Sequence, residues 1–217
     1  MSSREDILAR VRAGLGVKAG DGSRRAAVEA TRSTRSEAPR PVVSGDLAAR
    51  FRAKSEAMSS TVEVLDSLAE VPSAVARYLA AQGLRPQAAC WPSLAGLDWA
   101  GAALQVEARP ANGDDPVGIT GCFCAIAETG TLMLASGPNT AATTSLLPET
   151  HIAVVPASRI VPGMEEGFAL LRAEQGNELP RAVNFVSGPS RTGDIEQTIV
   201  LGAHGPYRVH LLIVRSA

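Results

Sequence analysis

The chain has 217 residues, 45% of them hydrophobic, and a formal net charge of −1; it can bury one sizeable core, and its length fits a single domain with an appendage better than two full domains. No stretch approaches the roughly 20 apolar residues of a membrane-spanning helix, and the start, Met1-Ser-Ser-Arg-Glu-Asp, lacks the apolar run of an export signal, which predicts a cytoplasmic protein. Three cysteines, Cys90, Cys122 and Cys124, read as thiols of a reducing compartment rather than a disulfide frame.

Charge is unevenly spread. Residues 1 to 55 hold twelve Lys/Arg against six Asp/Glu, a balance of +6; the remainder holds nine against sixteen, a balance of −7. The basic segment has no aromatic residue beyond Phe51 for base stacking and no basic run longer than Arg24-Arg25, which argues against nucleic acid as a partner.

Ser2 or Ser3 can cap a first helix carrying Ile7, Leu8, Val11 and Leu15 on one stripe, with Glu5 and Asp6 favoured at its positive end. From Val17 to Ser44 large apolar residues almost vanish and Gly, Ser, Thr, Arg and Pro abound, so residues 1–44 are expected to be a helix followed by a flexible basic linker, with the folded domain at 45–217. Asp46 opens a helix bearing Leu47, Phe51 and Met58, and Thr61 to Leu65 is a β-branched strand. Pro72 suits the first turn of a helix reaching Ala81, stopped by Gly83. Gln87 to Trp91 and Leu104 to Ala108 are predicted strands, and Asn112-Gly113 marks a turn.

Val117 to Thr120, Thr131 to Ala135 and His151 to Val155 have buried-strand length and composition; a helix is expected over about Gly163 to Ala173. Ala182 to Val186 and Arg208 to Val214 close the chain as strands. Continuous apolar strands interleaved with helices predict an α/β domain with a largely parallel sheet covered on both faces.

Two glycine-punctuated blocks, Gly118 to Ser136 and Ser187 to Pro206, set small and polar residues after apolar strands, where backbone amides can converge on a ligand. In an open α/β sheet the favoured place is beyond the carboxyl ends of the strands. Ser187, Gly188, Ser190, Arg191 and Thr192 offer hydroxyls, amides and a guanidinium fork suited to carboxylate or phosphate. The same turn is equally readable as a cap for the next segment, with Arg191 bridging to Asp194 or Glu196, which otherwise flank the pocket.

Glu128, within Ala127-Glu128-Thr129-Gly130-Thr131, could serve as base or nucleophile, or accept amides from the loops at Gly118 and Gly188 and so fix them. His204 is the candidate proton donor or acceptor of the three histidines, because Gly202 and Gly205 let a ligand approach, although a simple bond to a carbonyl also suits it. His151 and His210 fall in apolar strands and read as core residues. Asn139, Thr140, Thr143 and Thr144 form a third polar patch, in which Thr140 or Thr143 could cap a short helix towards Leu147.

Cys122-x-Cys124 lacks the four ligands of a zinc or iron–sulfur site, so no metal is expected here. Neither a Gly-x-Gly-x-x-Gly nor a P-loop motif is present, and the only lysines, Lys18 and Lys54, lie outside the core segments, which excludes a core Schiff base.

The elements Gly118-Ile119-Thr120, Ala127 to Thr131, Ser187 to Thr192, Asp194 to Glu196 and Gly202 to Pro206 occur in an order that resembles the LUD domain, the lactate-utilization family of LutC and YkgG (DUF162), over about Leu47 to Val214. The resemblance implies a Rossmann-like three-layer α/β/α sandwich of the NagB, RpiA and CoA-transferase superfamily. With the residue chemistry above, the candidate catalytic residues are Glu128 and His204, and the candidate ligand-binding residues are Gly118, Thr120, Thr129, Gly130, Thr131, Asn139, Thr140, Ser187, Gly188, Ser190, Arg191, Thr192, Asp194, Glu196 and Gly205.

LutC-type proteins are implicated, with iron–sulfur partner subunits, in oxidising L-lactate to pyruvate. Without cluster cysteines or a flavin or NAD signature, this chain would be the cofactor-free, non-redox component, binding a small carboxylate or phosphorylated ligand. Two alternatives stand beside that reading: an autonomous CoA-transferase- or isomerase-like enzyme using Glu128, and a ligand-sensing scaffold whose basic arm recruits a partner. A homo-oligomer is left open.

Overall fold

The computed structural model describes residues 3–18, 20, 22–34, 39–176, 178–193 and 200–216. Contacts divide the chain into two units, Met1–Val42 and Val43–Ala217.

The first unit holds two helices, α1 (Ser3–Leu15) and α2 (Gly22–Thr34), neither with a buried residue. α2 corrects the expectation of an unstructured linker. Its sequence is free of proline and supplies Ala26, Ala27 and Ala30, which lose little entropy in a helix, and Arg32 pairs with Glu29 one turn earlier at 3.2 Å. Low hydrophobicity excludes a core of its own but not a helix.

The second unit runs α3 (Leu47–Ala57), β1 (Thr61–Ser67), α4 (Val71–Ala81), β2 (Gln87–Cys90), β3 (Gln105–Ala108), β4 (Val117–Thr120), β5 (Cys124–Ile126), β6 (Thr131–Ala135), α5 (Thr143–Leu146), β7 (Thr150–Pro156), β8 (Ile160–Val161), α6 (Met164–Gln175), β9 (Val183–Val186), β10 (Arg191–Thr192), β11 (Val200–Leu201) and β12 (Arg208–Ser216). Local signals set the ends of these elements. The Asp46 carboxylate accepts from the amides of Ala48 and Ala49 at 2.9 and 3.1 Å, capping α3. Pro72 lies in the first turn of α4, and Gly83 follows that helix at φ +64°.

Six strands form a wholly parallel sheet in the order β1-β12-β7-β4-β2-β3. One face, carrying Leu65, Ile119, Ile152 and Leu212, packs on Val71, Val75 and Leu79 of α4. The other face, with Val155, Leu211 and Ile213, meets Phe51 of α3 and Leu132 and Leu134 of β6. β6 belongs to a second, mixed sheet, β8-β5-β6-β9, whose far side packs Met133 and Cys124 against Leu171 of α6. Helices therefore cover both sides of a parallel-sheet core, with the small sheet between that core and α6. Among the described residues, no helix is long and apolar enough to cross a membrane.

Candidate functional site

Register places the site. β1 begins at Thr61, β7 at Thr150 and β12 at Arg208, with Thr61 opposite His210 and Thr150 opposite Arg208. The segments just before them, at Met58–Ser60, Leu147–Glu149 and Gly202–Tyr207, consequently lie along the amino edge of the parallel sheet. The turn after β9 joins that edge: the Ser190 amide donates to Pro206 O and the Gly202 amide to Ser190 O, both at 2.9 Å. Gly188 has φ +75°, and a Cβ there would fall 2.0 Å from Met58 O, so only glycine lets the turn lie this close to the start of β1. The Arg191 guanidinium donates to Ser59 Oγ.

The β5–β6 turn reaches the same place. Gly130 (φ +69°) leaves no room for a Cβ, which would sit 2.4 Å from Ser55 N, and Ser55 Oγ donates to Gly130 O at 3.2 Å. A chain of hydroxyls follows, Thr129 Oγ1 to Thr131 Oγ1 at 2.8 Å and Thr131 Oγ1 to Ser187 Oγ at 2.6 Å. The fold thus gathers Thr129, Gly130, Thr131, Ser187, Gly188, Ser190, Arg191 and Gly205.

That edge is the opposite one from the carboxyl edge expected for a doubly covered parallel sheet. β9 is not a strand of that sheet; it runs antiparallel to β6, with Val186 opposite Leu132. Its carboxyl end therefore points back to where β6 begins, beside the amino ends of β1 and β12.

The other predicted residues lie elsewhere or have other occupations. Gly118 and Thr120 are buried in β4. A Cβ on Gly118 would fall 1.9 Å from Thr144 O of α5, and Thr120 Oγ1 bonds His151 Nε2 at 2.8 Å. Thr140 Oγ1 donates to Ala135 O at 2.8 Å instead of capping α5, which has no side-chain cap. Asn139 is exposed beside it, and the Trp91 indole, just past β2, donates to Ala141 O at 3.1 Å, so this turn belongs to the carboxyl edge. Thr192 pairs in register with Val200. Asp194 and Glu196 lie outside the described residues.

Glu128 is half-buried and faces α6. Its Oε2 is 3.3 Å from where a Cβ on Gly163 would lie, and Glu165 and Glu166 reach the same spot at 3.4 and 3.0 Å. Gly163 is the N-cap of α6, where amides carry partial positive charge and suit carboxylates. His204 is exposed in the turn before β12. Among the described residues, no hydrogen bond or ion pair joins Glu128 to Arg191 or His204, or Glu128 to amides of the Gly118 or Gly188 loops.

Sequence reasoning passed over Arg208. It borders an open cleft of about 430 Å³ formed with Leu147, Glu149, Leu201, Gly202, Gly205 and Tyr207. A single cation immediately before a six-residue buried strand segment, apolar but for His210, was the available signal.

Burial raises the thiols of Cys90 and Cys124 to about 11 and that of Cys122, beside Cys124, to about 12. The described residues contain no group of three His, Cys, Asp or Glu placed to hold a metal ion. Burial lowers His151 and His210 to about 4. His151 spends one ring nitrogen on Thr120; His210 Nδ1 bonds Thr61 Oγ1 at 2.8 Å and its ring stacks on Tyr78.

The fold is an α/β domain with a parallel-sheet core and a hydroxyl- and guanidinium-bearing amino edge. Residues 48–214 match the family model of the LUD domain, and the chain belongs to that family. Over 100 residues it is 41% identical to lactate utilization protein C of Geobacillus sp. (strain WCH70), which is 45% of this chain and 42% of that relative. The protein of the same name from Halalkalibacterium halodurans is 42% identical over 102 residues, 46% of this chain and 44% of its own length. That of Bacillus subtilis (strain 168) is 40% identical over 100 residues, 45% and 42% of the two chains. The matched stretch spans less than half of these curated relatives. Among solved structures, a DUF162 family protein from Deinococcus radiodurans shares the fold with a TM-score of 0.57 at 24% identity, covering 80% of this chain and 99% of that one.

Proposed function

We propose that this chain is a LutC-like, non-redox component of a cytoplasmic system oxidising L-lactate to pyruvate, and that it binds a small carboxylate or phosphorylated ligand while iron–sulfur partner subunits carry the electrons. Membership of the LUD family and the name borne by relatives about 40% identical support the lactate role. One structural observation supports the ligand role above others: the Ser187–Arg191 turn, the Thr129–Thr131 hydroxyls and the Gly202–Pro206 loop meet at one edge.

In this reading Arg191 offers a planar fork to the carboxylate or phosphate, and the hydroxyls of Thr129, Ser187 and Ser190 orient it. Gly188 lets the turn sit against Met58, and Gly205 lets its loop sit against Ser190, which brings these groups to one place. Oxidation of a 2-hydroxy acid to a 2-oxo acid releases two electrons, which the partner subunits take, and two protons, from the hydroxyl and from C2; His204 or Glu128 is the group of this chain to accept the hydroxyl proton.

The test is a clean deletion in the organism that carries the gene. Growth on L-lactate should be lost, restored by the native gene and not by Arg191→Ala, and cluster-bearing subunits should co-purify with the tagged native protein. Normal growth of the deletion strain on lactate removes the proposal.

A further inference from the structure

Beside the Arg191 turn, and sharing the Gly202–Pro206 loop with it, lies a cleft whose charged anchor, Arg208, the proposed role does not use. The cleft of about 430 Å³ at the start of β7 and β12 falls within the range of small-molecule sites. Its charged anchor is Arg208, whose side chain is 27% exposed. One Nη donates to Thr150 Oγ1 at a long 3.3 Å and stands 3.8 Å from the Glu149 carboxylate, itself 77% exposed and free to swing into water. The Tyr207 ring supports the guanidinium from one side, with its carbon 5.1 Å from the ring centroid. Among the described residues, Nε and the other Nη make no hydrogen bond. A half-buried guanidinium therefore presents unused donors to an open cavity, a fork geometry that a carboxylate fits.

The rim is apolar. Leu147, Leu201 and Tyr207 line the cleft and are 52%, 42% and 48% exposed. Large side chains this exposed around one concavity gain by being covered. A purely polar anion would satisfy Arg208 and leave them wet.

We infer that this cleft binds an aliphatic monocarboxylate, its head on Arg208 and its chain of several carbons against Leu147, Leu201 and Tyr207. The cleft shares the Gly202–Pro206 loop with the Arg191 site but not its charged anchor: hexanoate binding reads Arg208, lactate growth reads Arg191, and either can fail alone. Glu149 competes for Arg208, so its removal should strengthen binding.

The experiment is an amide-resonance titration of the full chain with sodium hexanoate, acetate and hexan-1-ol. Hexanoate should shift Leu147, Leu201, Gly202, Gly205 and Tyr207 saturably, and bind about 10-fold or more tightly than acetate or hexanol, since each lacks one of the two contacts. Arg208→Gln should weaken hexanoate about 10-fold or more, and Glu149→Gln should tighten it. Absence of saturable shifts at these residues overturns the site, and acetate binding as tightly as hexanoate overturns the apolar half. Should Arg208→Gln fail to fold, Leu147→Glu decides: it sets a like charge at an exposed rim position, and unchanged hexanoate affinity in that variant overturns the inference.

Discussion

Acidification should unfold this protein through two histidines. His151 is fully buried in β7 with Nδ1 unpartnered, and His210 is 4% exposed in β12 with Nε2 unpartnered. Protonating either ring places a positive charge and an unpaired N–H in the apolar core. Both pKa values drop from 6.5 to about 4 through burial; for His210 the nearby Glu63 and the Thr61 bond oppose this but do not reverse it. Because folding favours the neutral ring, the unfolded chain binds more protons between pH 6.5 and 4. Stability is therefore full above 6.5 and falls as pH drops towards 4.

At pH 5 each ring is about 1.5 pH units below its unfolded pKa, which at about 1.4 kcal/mol per unit costs about 2 kcal/mol. The pair together costs about 4 kcal/mol, a large share of the 5–15 kcal/mol typical of a domain. Depressed carboxylates do not supply this loss. Asp115, held down by Arg109, and Glu174, held down by Arg159, lose their stabilisation only as pH falls through the ordinary carboxylate range and below. Urea unfolding at pH 7 and pH 5 measures the drop, and His151→Gln and His210→Gln should each remove about 2 kcal/mol of it. If both variants lose as much stability between pH 7 and 5 as the native chain, the argument is wrong.

Three further outcomes follow from the site geometry. Gly118→Ala drives a methyl against Thr144 O and should cost about 1–3 kcal/mol as α5 is pushed off β4; a change within about 0.5 kcal/mol in urea would show that α5 yields freely. Thr131→Val keeps the shape but removes the central hydroxyl between Thr129 and Ser187, so about 1–2 kcal/mol should be lost and the Ser187 turn should exchange amide hydrogens faster; unchanged exchange at Ser187 and Gly188 counts against the hydroxyl chain as a tether. Glu128→Gln should leave the melting temperature close to native while slowing lactate-dependent turnover about 100-fold or more; full retention of growth and turnover would end any proton-transfer role for Glu128.

Most elements of the Val43–Ala217 unit were legible because their causes are local. Asp46 caps α3, Pro72 opens α4, and the apolar runs at Val117, Thr131, His151 and Arg208 become β4, β6, β7 and β12. β5, β8 and the β10–β11 pair were not legible, since strands of two or three residues carry too little periodicity to stand out. α2 was missed because composition measures burial, and an Ala-rich helix can form without it.

The sequence by itself determined an α/β chain, its strand-forming segments, and two polar glycine-rich blocks able to approach a ligand, because side-chain period, caps and backbone freedom act over a few residues. Tertiary structure alone decided which strands share a sheet. It paired β6 and β9 antiparallel in a separate, mixed sheet, and that reversal carries the Ser187–Arg191 turn to the amino edge, against Met58 and Ser59. It also set Arg208 at the wall of a cleft with Leu147, a residue of a distant part of the chain. Pairing between distant strands depends on which faces find a partner to bury them, and no window of sequence contains that partner.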